Sequence, residues 1–282
     1  MSAAAHAQID TADLAPSRDE GASSVAKAVD VLKLFSPDIP SLRIEEISAA
    51  LGYKRSTAYR YVRELCAAGL LASRPDARYA LGPMIVELER LLRLTDPLYR
   101  AGAAVLPPLR SDDCVYQLQE LSREDEVLCI YKEGPEALRF EGKMYALNRE
   151  RGLPFPLFRG AGSLALLAHL SRDRIQRTYL TNAARIAQAG LGKTWDEFRQ
   201  GMAAIRRRGY AVVRRADVRH IIGIAVPVLL EADGRVVGSL DYVIMRAALD
   251  DVTERALAAA LVPIAAAIAR EYVRFSNTSR VQ

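Results

Sequence analysis

Residues 55–63 concentrate hydrogen-bond donors and positive charge: Arg55, Ser56, Thr57, Tyr59, Arg60 and Arg63. Guanidinium forks and hydroxyls are the groups that match acceptors on DNA base edges and on phosphates. The spacing also leaves Ala58, Val62 and Leu65 as a separate apolar stripe, so a helix here carries Ser56, Tyr59, Arg60 and Arg63 on its opposite face. Ser56, Thr57 and the first backbone N–H groups fall where a helix N-terminus attracts phosphate. The plain alternative is a solvated basic face on an ordinary helix.

The elements needed to hold that face lie on either side of it. Ile44, Ile47 and Leu51 form one helical stripe, and Gly52 follows, where a left-handed residue ends a helix at no steric cost. Upstream, Val25, Val29, Leu32 and Phe35 share a face of a helix over 25–35, with Ser24 as its N-cap and Pro37 and Pro40 closing it. Downstream, Leu70–Ser73 and Tyr79–Leu81 are short strand candidates joined by a turn at Pro75-Asp76-Ala77. Arg74 and Arg78 flank its tip, in reach of a phosphate or a minor groove. A helix, a helix-turn-helix and a hairpin in this order make a winged helix.

The rest of the chain reads as a second domain. Pro83 opens a helix whose stripe of Ile85, Leu88, Leu91 and Leu92 is wider than a small domain needs, which leaves packing within one chain or pairing with a second. After a break at Asp96-Pro97 a helix spans about 98–109. Strands follow at Val115–Glu120, Val127–Tyr131 and Leu138–Phe140, then helices at Gly162–Leu170 and at Asp196–Arg208, the latter closed by Gly209. Tyr210–Val213, Ile221–Leu230 and Val236–Ile244 are the last strands, with Ala232-Asp233-Gly234 as a hairpin turn. Residues 256–269 form a packed C-terminal helix containing Pro263. The fold class is α+β, an antiparallel sheet with helices against it.

Composition narrows the function less than placement does. The formal charge of +5 and pI near 9.1 fit a polyanionic partner. Residues 1–22, read as a disordered tail, carry −3, residues 23–80 carry +3 and the rest +5, so the basic balance is not confined to the helix-turn-helix. Cys66, Cys114 and Cys129 have no metal-ligand spacing and read as reduced, mostly buried thiols of a cytoplasmic protein. No apolar run approaches the roughly 18 residues that span a bilayer. His6, His169 and His220 are scattered, and no nucleophile elbow, phosphate loop or His-Glu-x-x-His pattern occurs. The expectation is a protein that is not an enzyme, with no cofactor and no metal.

One segment has the chemistry of a small-molecule pocket. In 153–163, Phe155 and Phe158 offer flat apolar surface, and Gly160 and Gly162 permit close backbone approach. Arg159 offers a fork to a carboxylate, and the helix starting near Gly162 presents its N-terminus to an anion. The competing reading makes these phenylalanines plain core and the arginine a surface residue.

Three stretches, SVAKAVDVLKLF, IEEISAALGYKRSTAYRYVRELCAAGLL and ARYALGPMIVEL, resemble the IclR family of bacterial transcription regulators; ALLAHL, RRRGYAV and IAVPVLLEADGRVVGSL extend the likeness from about Ser24 to Arg270. The resemblance implies a winged helix-turn-helix, a linker helix and a GAF-like effector domain, in dimers often paired as tetramers that regulate catabolic genes. On it we divide the chain into a tail (1–22), a DNA-binding domain (23–82), a linker helix (83–97) and an effector domain (98–275). Carried over from the family, Gly223, Asp241, Tyr242 and Val243 would line the wall opposite the 153–163 segment. The sequence departs from the family pattern there, with Phe158-Arg159 in place of a usual histidine segment, Ser163-Leu164 in place of Gly-Lys, and Asp241-Tyr242-Val243 in place of Ser-x-Ser. A loop that is usually acidic reads Arg214-Arg215. The expected partners are an operator duplex, a small anionic organic effector (more narrowly an aromatic acid) and a second copy of the chain, with no membrane. The alternative is a small-molecule binding module whose helix-turn-helix mediates protein contacts.

Overall fold

The structure is a computed structural model that describes residues 23–123, 125–147, 150–214 and 220–278. The tail 1–22, with His6, and Arg215 lie outside the described residues. The chain divides into two compact units, with the division along the chain between Leu94 and Thr95.

In the first unit, α1 (Ser24–Leu32), α2 (Ile44–Leu51) and α3 (Arg55–Ala67) enclose a core of Val31, Ile44, Ile47, Ala58, Val62, Leu65 and Leu71. Ser23, and not Ser24, caps α1: its Oγ accepts from the Ala26 N–H at 3.2 Å. The helix stops at Leu32, short of Phe35, and residues 33–35 continue as turns that bond back to Val29, Val31 and Leu32. Gly52 ends α2 at φ 67°, ψ 22°, the left-handed cap its residue type anticipates. Strands β1 (Leu42–Arg43), β2 (Leu71–Arg74) and β3 (Arg78–Leu81) form an antiparallel sheet in the order β1-β3-β2. Two residues are too few to show a period, so β1 is invisible in the sequence. The wing turn is tight: Asp76 and Ala77 both sit at positive φ, 61° and 55°. Helix α4 (Pro83–Thr95) follows and leaves Val86, Leu88, Leu91, Leu92 and Leu94 exposed within its own unit.

The second unit is built on a six-stranded antiparallel sheet in the order β8-β5-β4-β11-β10-β9. Its strands are β4 (Cys114–Leu121), β5 (Glu126–Glu133), β8 (Pro154–Pro156), β9 (Ala211–Arg214), β10 (Ile221–Leu229) and β11 (Val236–Met245). A separate hairpin, β6 (Ala137–Phe140) and β7 (Lys143–Ala146), turns at Glu141-Gly142. On one face of the sheet lie α5 (Pro97–Val105) and α9 (Asp251–Thr278), packed on Leu118, Ile222, Ile224, Val226, Val228 and Leu240. On the other lies α6 (Ala161–Leu167), with α7 (Arg172–Gln188) and α8 (Trp195–Arg208) in the same layer around Leu164, Leu167, Ile186, Phe198 and Met202.

Several bounds differ from the sequence reading for local reasons. Helix α5 ends at Val105 instead of 109 because Pro107 and Pro108 bring no N–H, and Pro107–Leu109 tightens into a 3-10 turn. Helix α9 is twice as long as its apolar stretch and is long enough to cross a bilayer by length and composition. Here it buries Ala258, Leu261, Ala265, Ile268 and Ala269 against the sheet. Helix α7 escapes sequence reading because the face it buries is Thr178, Asn182 and Ile186, spaced for a helix yet mostly polar. These polar groups are satisfied inside: Asn182 Nδ2 donates to the Thr178 carbonyl at 3.1 Å and Thr178 Oγ1 lies 3.5 Å from Asp125 Oδ1.

Candidate functional site

Two sites answer to the sequence expectations, one in each unit. In the first, Ala58, Tyr61, Val62 and Leu65 anchor α3 to the core, and Arg55, Ser56, Tyr59, Arg60 and Arg63 are exposed on the face turned away. Thr57 is half-buried. Tyr59 is 54% exposed, a large aromatic surface open to solvent. The guanidinium groups are tethered near the surface: Arg55 pairs with Glu45 at 2.6 Å, Arg63 with Glu64 at 2.8 Å, and Arg60 leans over the Tyr61 ring at 5.1 Å. Such exposed pairs are worth at most about 1 kcal/mol, so an incoming phosphate can replace them. Arg74 is exposed on the wing, as expected. Arg78 is not held out at the tip. Its Nε donates to Ser41 Oγ at 2.8 Å, and its Nη2 donates to the Ser41 carbonyl at 2.6 Å and to Glu46 Oε2 at 3.3 Å.

In the second unit the sheet face beneath α6 carries a buried polar strip. Alternation along β4 and β11 places Gln117, Gln119, Ser239 and Asp241 on that face, all at most 2% exposed. Gln119 Nε2 donates to Asp241 Oδ2 at 3.3 Å. The first turn of α6 packs directly on the strip: a Cβ on Gly162 would stand 2.6 Å from the Gln119 amide, and one on Gly223 of β10 would stand 3.1 Å from Asp241 Oδ1. Ser163 on α6 and Ser239 on β11 are fully buried, and neither hydroxyl has a hydrogen-bond partner among the described residues. A strip of amides, hydroxyls and one carboxyl inside an apolar layer is costly unless it binds something polar.

The sequence-predicted effector residues divide around this strip. Gly162, Gly223 and Asp241 meet there. Gly160 starts α6 at φ 97°, a conformation suited to glycine, and Val243 is buried beside Val115, Leu138 and Ile221. Tyr242 does not belong to the site: one residue on from Asp241, it projects to the opposite face of the sheet, where it meets Tyr116 at 5.1 Å between centroids. Phe158 is core, with the Arg185 guanidinium over its ring, and Phe155 is half-buried on edge strand β8. Arg159 is exposed, its N–H bonded to the Pro156 carbonyl, and is no part of the buried strip. Helix α6 has only seven residues, so its dipole is a weak anion lure. Gln117, Gln119 and Ser239 went unread as site residues. The available signal was the alternation Gln117-x-Gln119 in a strand that is otherwise apolar.

Burial sets the ionisation of the remaining groups. The Cys66 and Cys114 thiols are pushed up, so neither is a thiolate at neutral pH. Burial lowers His169, whose Nδ1 lies 2.9 Å from the Ala165 carbonyl, which marks it as a neutral structural residue. Glu120 on β4 is pushed up to about 7, first by burial and then by the charge of Asp96. Among the described residues no group of three His, Cys, Asp or Glu side chains gathers to hold a metal ion.

Comparison with known proteins covers both units. Residues 24–75 match the family model of the IclR helix-turn-helix domain, and residues 121–270 match that of the bacterial transcriptional regulator IclR C-terminal domain. The chain is 23% identical over 209 residues to a probable HTH-type transcriptional regulator, ArcR, of Halobacterium salinarum, covering 73% of this chain and 77% of that one. It is 24% identical over 237 residues to the HTH-type transcriptional regulator XynR of Escherichia coli, covering 81% and 88%. Among solved structures, an IclR transcriptional regulator from Alicyclobacillus acidocaldarius superposes with a TM-score of 0.68 at 25% identity, covering 88% of this chain and 98% of that one. An IclR homologue from Microbacterium hydrocarbonoxydans complexed with 4-hydroxybenzoate gives 0.65 at 22% identity, covering 89% and 100%.

Proposed function

The chain belongs to the IclR family of transcriptional regulators, which are not enzymes, and from that premise we propose that it is a dimeric, effector-responsive regulator of catabolic genes that works in the cytoplasm. The observation that carries the DNA half of this reading is the exposed row Arg55, Ser56, Tyr59, Arg60 and Arg63 on a helix whose other face is sealed into the core. That row enters a major groove, with Arg74 on the flanking backbone. We keep the domain division read from the sequence as part of this proposal, and the exposed apolar residues of α4 support pairing of two copies. A two-fold dimer requires a pseudo-palindromic operator with half-sites about 34 Å, or a multiple of it, apart.

The effector reading rests on the buried strip. Gln117, Gln119, Ser163 and Ser239 offer amide and hydroxyl donors to a carboxylate, and the Asp241 carboxyl has the acceptor capacity for a hydroxyl of the same molecule. A small hydroxylated organic acid, aromatic or not, combines both needs. The 4-hydroxybenzoate complex of a protein of this fold makes that compound the first to test. Two measurements decide. The purified chain should select one palindromic sequence class from a random duplex pool; recovery of no enriched sequence removes the DNA reading and favours a module that uses its helix-turn-helix for protein contacts. A thermal-shift screen of hydroxylated and plain organic acids should give a stabilising hit that Asp241→Asn weakens. A hit unchanged in Asp241→Asn removes the strip as the site.

A further inference from the structure

We propose that Arg78 and Glu46 are positioning residues that brace the wing against α2, and that they aim Arg74 at DNA without touching it themselves. The inference rests on the winged-helix reading above. Strand β3 is the middle strand of the small sheet, and Arg78 stands opposite Arg43 of β1 on one side and opposite Arg74 of β2 on the other. Three like charges in register repel one another across a sheet. Glu46, from the first turn of α2, answers that charge: its Oε2 accepts from the Arg43 N–H at 2.7 Å and from Arg78 Nη2 at 3.3 Å. The remaining bonds of Arg78, to Ser41 Oγ and to the Ser41 carbonyl, tie the fork to the segment just ahead of β1.

The result is a closed set of contacts joining the wing, β1 and the N-terminus of the first helix of the helix-turn-helix pair. A planar guanidinium bonded to three acceptors on two residues fixes an angle, which a lysine ammonium cannot do. Glu46 carries a charge that duplex DNA repels, so its presence beside the reading head calls for a mechanical reason. Arg74, directly across from Arg78, then leaves the sheet at a set position even though the three-residue turn beyond it is strained at Asp76 and Ala77.

The test uses the full-length protein and a duplex that the wild type selects from a random pool. Glu46→Gln and Arg78→Lys are each expected to weaken binding by about tenfold or more, the range for a lost hydrogen bond to a charged group. The double variant should be no weaker than the weaker single, because both break one assembly. Footprints should lose protection at the wing-side flank and keep it in the major groove. Arg74→Gln should lower the salt slope of binding by about one in the wild type and leave it unchanged in the Arg78→Lys background. A phosphate-gripping Arg78 gives the opposite pattern: Glu46→Gln then binds as tightly as the wild type or more tightly, since an acid has been removed, and Arg78→Lys keeps its affinity. That pattern overturns the brace alone. A wild type that selects no duplex overturns the DNA reading, and the brace with it. Thermal unfolding of each variant separates a loosened wing from an unfolded domain.

Discussion

Replacing Glu120 should change how stability depends on pH, and the direction follows from where the side chain sits. Glu120 lies near the end of β4, and its proton is held by burial and by the Asp96 carboxylate, which caps α5 by accepting the Tyr99 N–H at 2.6 Å. Its carboxyl rises from an ordinary 4.5 to about 7 in the folded protein. Below pH 4.5 the group is protonated in both folded and unfolded chains and costs nothing. As pH climbs from there to about 7, the unfolded chain ionises while the folded one resists, so stability falls across that window and levels off above it. At about 1.36 kcal/mol per decade the full loss is at most about 3 kcal/mol, and residual solvent contact trims it to roughly 2. Urea unfolding of wild type and Glu120→Gln between pH 4.5 and 8 should show curves that diverge as pH rises, with Gln the more stable at pH 8. Asp96→Asn should shift the wild-type fall to lower pH, because it removes the neighbouring charge, even as it weakens the α5 cap. Curves for wild type and Glu120→Gln that run parallel over the whole range would refute the reasoning.

Other substitutions test the two sites and the layers that hold them. Arg60→Ala and Arg63→Ala should abolish or relax operator binding while unfolding stays near wild type, and a wild-type footprint from either would contradict the groove assignment. Gly162→Ala drives a methyl to 2.6 Å from the Gln119 amide and should cost about 1–3 kcal/mol by thermal melts and disturb effector response; an unchanged melt would mean that the Gln119 side chain swings aside freely. Phe198→Ala empties a fully buried site on α8 and should cost about 3–5 kcal/mol in urea; a loss under 1 kcal/mol would show that the layer of α6, α7 and α8 collapses onto the gap.

The same local chemistry that makes the helix-turn-helix legible makes parts of the second unit opaque. Gly52, the apolar stripes of α2 and α3 and the donors between them are all local signals, read within one or two turns, and the observed elements follow them closely. The alternating strands β4, β5, β10 and β11 were readable for the same reason. Helix α7 was not, because the residues it buries are polar and only the surrounding layer makes that burial tolerable.

Residue types and their spacing alone therefore determined the helix-turn-helix with its donor-bearing face and the strands β4, β5, β10 and β11, but not β1, β7, β8 or α7. Packing decided what the long-range neighbours did to each side chain. It set Tyr242 on the sheet face opposite the buried polar strip, drew Arg78 back onto Ser41 and Glu46, left Arg159 on the surface, and joined Gln119 to a carboxylate 122 positions away. A sequence carries the period of its own segment but says little about which distant segment will lie against it, and the ionisation and hydrogen bonding of a buried group depend on that distant segment.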